Sequence, residues 1–229
     1  MDKSRDSPGA RWPFGRSRRP QSPWSRSAPG QSFVELTLIV VPLMLLVVGI
    51  AEYGMLLNRY LNAVDGAREA ARYNANYNPF CPEFSTDPSC PAGTVTSEYY
   101  SSTAALAEQV MYPVELDPDL GDDVIVSFFT VSGGVVTARY PLADGESGWS
   151  WSQHKTGYGV RNQVSKQHTN FIESRMDNTA PDISVSLVEI FYNYPQTLRM
   201  PILLEFIPDP IPVYTYAIMP IKNVSPPSP

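Results

Sequence analysis

The stretch from Gly30 to Tyr73, GQSFVELTLIVVPLMLLVVGIAEYGMLLNRYLNAVDGAREAARY, constrains this chain more than any other. After Glu35 no charged residue occurs from Leu36 to Ala51. A run of that kind reads as a membrane-spanning helix. Phe33 to Leu57 measures about 37 Å at 1.5 Å per residue, enough to cross a bilayer with some tilt. Glu35 needs a reason, because a carboxylate in hydrocarbon costs roughly 2.5–3.5 kcal/mol on insertion scales. Either it sits at the headgroup boundary with no further role, or it neutralises a positive charge inside the membrane. A new α-amino group, made by cleavage between Gly30 and Gln31, would be such a charge, with Gln31 as the first residue and Glu35 the fifth. Pro42 lies inside the run and is expected to bend the helix, since it removes one backbone hydrogen bond. Tyr53 and Tyr60 fall where an interfacial aromatic belt belongs.

Beyond the apolar run the helix changes character. Ala63, Gly66, Ala67 and Ala70 share one face, and Asp65, Arg68, Glu69 and Arg72 the opposite one. Each acid can pair with the arginine three residues on, at a few tenths of a kcal/mol. The small face permits close approach by another element. We expect the protein's own globular domain to cover it, while the anchor itself would pack in a bundle of helices.

Of 17 basic and 23 acidic residues, seven and two respectively lie in residues 1–30, which leaves ten basic and 21 acidic, a balance of −11, for the remainder. A basic segment before an anchor favours the cytoplasmic side. The acidic remainder would then be exported, and it argues against nucleic acid, whose phosphates need a concentrated basic face. The Arg-, Ser- and Pro-rich segment 1–30 reads as a disordered basic leader. It does not resemble a secretory signal peptide, because its basic region is long and no small-residue cleavage site follows the apolar run. Helix is expected over 31–75, with the membrane span at about 33–57. Residues 76–229 are enough for one modest domain, not two.

That domain reads as α+β. Cys81 and Cys90 flank a proline-bearing polar loop of eight residues, and in an exported domain they are expected to form a local disulfide. A loop so short would gain about 2–3 kcal/mol in the chain-entropy picture. Ser97 to Met111 has the pattern of a short amphipathic helix, with Pro113 just beyond. Val124 to Thr130 and Val135 to Tyr140 are β-rich runs joined by a Gly133-Gly134 turn, which signals a hairpin. Ile183 to Tyr192 alternates as a half-buried strand, and Ile202 to Ile207 and Val213 to Met219 are further strands. Prolines 195, 201, 208, 210, 212 and 220 place these at edges and ends. Residues 143–180 form an irregular insertion, expected to be mobile, although Val160 to Arg175 carries helical spacing. Trp149 and Trp151 in it would mark a partner surface if exposed, and core if buried.

No constellation for catalysis appears. HExxH, a Gly-rich phosphate loop, Gly-x-Ser-x-Gly and CxxC are all missing from the sequence. Asp117, Asp119, Asp122 and Asp123 lack the spacing and closing glutamate of an EF-hand calcium loop. His154 and His168 with Glu173 and Asp177 can be drawn as a metal site, but nothing in the spacing fixes their geometry. We therefore expect no enzyme, no metal and no cofactor.

Gly30, an apolar run with Glu35 at the fifth place, and no charge beyond resemble the prepilin-peptidase site of type IV prepilins. The longer string from Phe33 to Tyr73 resembles more narrowly the TadE family of minor pseudopilins, in Val34-Glu35, Pro42, Glu52-Tyr53-Gly54 and Asp65-Gly66-Ala67-Arg68. The Asn193-Tyr194-Pro195 step followed by another strand is also similar to the tail of that family, although the leader is longer than the family usually carries. The resemblance implies a leader removed by an aspartyl prepilin peptidase between Gly30 and Gln31. It implies a single-pass membrane protein with its N-terminus cytoplasmic and its C-terminal domain outside. Its partners would be the lipid bilayer, other pilins and pseudopilins, and the inner-membrane platform proteins of a Tad-type pilus system. Glu35 would pair with a neighbouring subunit's amino terminus. The alternative is an uncleaved bitopic protein whose outer domain binds a ligand or surface partner through residues 143–180.

Overall fold

The computed structural model describes residues 29–221 apart from 74, 76, 82–85, 89, 92–93, 142–147, 158–165, 177–181 and 200–206. The expected leader and most of the expected strand Ile202–Ile207 lie outside the described residues, as does Asp177. The chain divides into two units, Met1–Val47 and Val48–Pro229. Helix α1 runs Pro29–Tyr73 with Pro42 inside it.

The second unit is an α+β domain. Helix α2 covers Ser97–Met111, opened by the Thr96 side chain, which accepts from the Tyr99 amide. Ala63, Ala67, Ala70 and Ala71 of α1 are fully buried against this domain. Gly66 makes the tightest contact: a Cβ there would lie 2.7 Å from Met111 Cγ and 3.2 Å from the Ala107 carbonyl oxygen. The small face thus packs on the protein's own domain, as expected. On the opposite face Arg72 donates to Glu69 Oε1 at 2.8 Å.

The strands are β1 Asp123–Ser132, β2 Val135–Tyr140, β3 Trp149–Ser150, β4 Ile183–Tyr194 and β5 Ile211–Ile221. They pair in the order β2-β1-β4-β5, antiparallel throughout, with β3 also on β1. The β1–β2 turn holds Gly133 at φ 58° and Gly134 at φ 81°, the left-handed pair that a two-residue hairpin with the twist of its strands requires. Strand β4 corrects the half-buried expectation. Ser184 and Ser186 are buried as fully as Val185 and Leu187. The reason is position: β4 lies between β1 and β5, so its neighbours cover it along both edges, and apolar layers cover both faces. One layer joins Val188 and Ile190 to the alanines of α1 and to Tyr99, Ala104 and Met111 of α2. The other joins Val185 and Leu187 to Phe129 and to Ile172 of helix α4, Lys166–Arg175. Small hydroxyls fit such a layer, which the polar-apolar alternation did not reveal.

The sheet's edges are occupied or interrupted. Val136 of β2 donates its N–H to Glu173 Oε1 of α4 at 3.0 Å. Strand β5 carries Pro212 and Pro220, which have no N–H to offer. The cysteines form the expected bond, Cys81–Cys90. Beside it Phe80 bridges to Val95 and sets its ring edge-on to Phe128, with centroids 5.2 Å apart.

Two adjacent carboxyls start β1. Asp122 Oδ1 accepts the Asn193 N–H at 2.7 Å and Oδ2 the Asp117 N–H at 2.9 Å. Asp123 Oδ2 accepts the Ser150 hydroxyl at 2.7 Å and Oδ1 the Ser152 N–H at 2.9 Å. These bonds tie β3 and the short helix α3, Trp151–Thr156, to the sheet. Trp151 is buried, and Trp149 stacks on Tyr100 with centroids 6.0 Å apart. Trp151 is therefore core, and Trp149 packs partly buried against it.

Burial pushes the Asp123 carboxyl above the ordinary aspartate value, and its hydroxyl and amide donors pull it partly back. A carboxyl raised in the folded state binds more protons folded than unfolded between its two pKa values, so its contribution to stability increases as pH falls through the folded value. Asp123→Ala is expected to cost about 2–3 kcal/mol at pH 7, because two charge-assisted hydrogen bonds go. In urea titrations at successive pH values, the gap between wild type and variant should widen on acidification and level off below the unfolded value. A gap that narrows would show the opposite shift.

Candidate functional site

The sequence points to the N-terminal half of α1. Gly30 and Gln31 lie in its first turn. From Phe33 to Ile50 the large apolar side chains stand exposed around much of the helix, Leu38 at 72%. Glu35 lies on that exposed surface between Val34 and Leu36. Pro42 is within the helix, which continues through it although proline has no N–H to give to the Leu38 carbonyl. Among the described residues, the helix from Ser32 to Tyr73 is long and apolar enough to cross a membrane by length and composition. So large an exposed apolar surface requires hydrocarbon or partner helices around it. The disulfide Cys81–Cys90 belongs to the second unit.

A second constellation, which sequence reasoning missed, centres on Glu52. Its Oε1 accepts the Tyr194 hydroxyl at 2.8 Å and the Thr197 N–H at 2.8 Å, and its Oε2 accepts the Leu198 N–H at 2.9 Å. The donors all come from the end of β4 and the turn that follows it. That turn is braced from its other side. Gln196, itself buried, donates its backbone N–H to Asp209 Oδ1 at 3.1 Å and its side-chain amide to the Pro208 carbonyl at 3.1 Å. Arg199, at φ 36°, lies 3.6 Å from Asp209 Oδ2 through its Nε. Glu52 and the Asn193-Tyr194-Pro195 step both stood out in the sequence. Nothing in the spacing showed that they meet.

Of the residues drawn as a metal site, Glu173 and His154 do other things, while the His168 side chain and Asp177 lie outside the described residues. Glu173 receives the Val136 N–H, and the His154 ring lies against Trp149 with centroids 5.2 Å apart. Among the described residues no group of three or more His, Cys, Asp or Glu side chains comes together in a way that could hold a metal ion. Glu189, buried in β4, accepts the Tyr214 hydroxyl of β5 at 2.7 Å.

An apolar helix of membrane-crossing length followed by an antiparallel α+β domain is consistent with a single-pass membrane protein. The family model described as TadE-like protein matches residues 30–72, the stretch from the first turn of α1 nearly to its end. This agrees with the resemblance drawn from Val34-Glu35, Pro42, Glu52-Tyr53-Gly54 and Asp65-Gly66-Ala67-Arg68. It points to a membrane protein associated with a Tad pilus. No curated protein and no solved structure matches the chain.

Proposed function

We propose that this chain is a minor pseudopilin of a Tad-type pilus or secretion apparatus, made as a precursor and matured at Gly30. The observation that carries this is one coincidence. The matched family stretch begins at Gly30, and the helix it covers exposes an apolar surface whose single charge before Glu52 is Glu35. A prepilin peptidase would add water across the Gly30–Gln31 peptide bond, leaving a carboxylate on Gly30 and an ammonium on Gln31. Glycine offers no side chain to obstruct approach to that carbonyl. In the assembled helix bundle the new ammonium of one subunit would neutralise Glu35 of its neighbour. In a low-dielectric surrounding an unpaired carboxylate is strongly disfavoured, so pairing selects the correct register. The basic leader would stay cytoplasmic, and the acidic domain with its disulfide would lie outside, where oxidising conditions prevail. Other pilins, pseudopilins and the inner-membrane platform proteins of the apparatus would be its partners. The domain would prime, cap or adjust the growing structure.

The test is the mass of the mature N-terminus, taken from membranes of cells carrying their own prepilin peptidase. A start at Gln31 is expected. A start at Met1 or Asp2 would overturn processing and leave an uncleaved anchor with an outer binding domain.

A further inference from the structure

We infer that Glu52 fastens the outer domain to the anchor helix and marks where the hydrocarbon ends. The inference rests on the membrane reading above for the boundary, and on geometry alone for the fastening. Glu52 is one carboxylate receiving three donors, two of them backbone N–H groups of consecutive residues, Thr197 and Leu198. Those N–H groups end no strand or helix of their own; the acid of a distant helix is what satisfies them. The turn they belong to is a polar, charged knot of Gln196, Arg199 and Asp209. Such a knot has no place among acyl chains, where irregular backbone and unscreened charge are both costly. Because Glu52 is bonded directly to it, Glu52 also lies outside the hydrocarbon.

The span must then stop one residue earlier, at Ala51. Phe33 to Ala51 measures about 28 Å along a helix, close to the roughly 30 Å of a bilayer's hydrocarbon core. This shortens the expected 33–57 span at its outer end. Tyr53 and Leu57, both exposed, then lie in the headgroup region rather than among acyl chains. Glu35 and Glu52 take opposite parts on this account, one within the apolar surface near its start and one just beyond its end.

Two measurements on full-length protein in proteoliposomes test the two halves. Amide exchange read by mass spectrometry should show the Thr197 and Leu198 amides protected. Glu52→Ala should speed their exchange at least tenfold, a loss of about 1.4 kcal/mol of protection, while the amides of β4 stay protected as a check on folding. Glu52→Gln, of equal size but with one acceptor oxygen, should expose at least one of the two. Unchanged exchange in both variants would overturn the fastening.

The second measurement uses substituted cysteines, a clean probe because both native cysteines are bonded. A membrane-impermeant maleimide added outside should label Tyr53→Cys and Leu57→Cys at least tenfold faster than Leu46→Cys and Ile50→Cys. Equal protection of all four positions would place the hydrocarbon edge beyond Leu57 and overturn the boundary. Fast labelling of all four would overturn the membrane reading itself, and the boundary with it, leaving amide exchange to decide the fastening.

Discussion

Gly66→Leu is expected to destabilise the outer domain by about 3 kcal/mol or more, at the upper end of what overpacking a close-packed core costs. A single added Cβ would already stand 2.7 Å from Met111 Cγ and 3.2 Å from the Ala107 backbone oxygen. Met111 is fully buried and has little room to yield, and the carbonyl belongs to the rigid backbone of α2. Three further carbons would drive α1 away from α2 and from Ile190 of β4. Urea unfolding of the full chain in detergent, followed by tryptophan fluorescence, reads the change, since Trp151 lies in the domain's core cluster and Trp149 packs against it. Gly54→Ala in the same helix is the control, because nothing lies within 4 Å of a Cβ at that position. It should be neutral or slightly stabilising, as alanine favours helix by up to about 1 kcal/mol over glycine. Equal stability of Gly66→Leu and wild type would mean that α1 does not pack here as described.

Glu35→Ala should leave processing intact and abolish assembly. The mature protein should reach the membrane at its normal length, since the bond proposed for cleavage lies between Gly30 and Gln31, away from the substituted side chain. Its entry into the pilus or secretion fraction should fall by more than a hundredfold. Removing one partner of a buried ion pair strands the other charge, at about 3–5 kcal/mol. Glu35→Gln should fail equally, because an amide cannot neutralise an ammonium, and so the outcome separates charge from side-chain volume. Normal incorporation of either variant, scored by immunoblot of sheared surface fractions, would refute the pairing.

Periodicity was most informative where one physical cause dominated. The apolar run of α1, the alternating faces of its second half and the spacing of α2 were all legible, because burial or lipid exposure alone sets them. The hairpin was legible from Gly133-Gly134, whose backbone angles other residues rarely adopt. Strand β4 was misjudged because serine is polar in pattern yet small enough to be buried, and the alternation could not say which face had cover. Asp122 and Asp123 stood out in the sequence only as acids without the spacing of a calcium loop, whereas the fold turns them inward to hold Asn193, Asp117, Ser150 and Ser152. Recognising that required knowing which N–H groups the loops leave without strand partners. Glu52 carried a signal, an acid closing a long uncharged run, but its donors lie more than a hundred residues away, the Tyr194 hydroxyl at a separation of 142. Contacts at that distance along the chain leave no periodic trace.

The edges of the sheet bear on what happens when many copies stand side by side. Subunits tethered along a filament meet at effective concentrations in the millimolar range, far above those in free solution. An unprotected edge strand would there become a template for its neighbours, and filaments would fuse laterally through their outer domains. Here the β5 edge is broken by Pro212 and Pro220, and on the β2 edge the Val136 N–H is already taken by Glu173. Under the proposed function, crowding would strengthen contact between apolar helices without recruiting these protected edges.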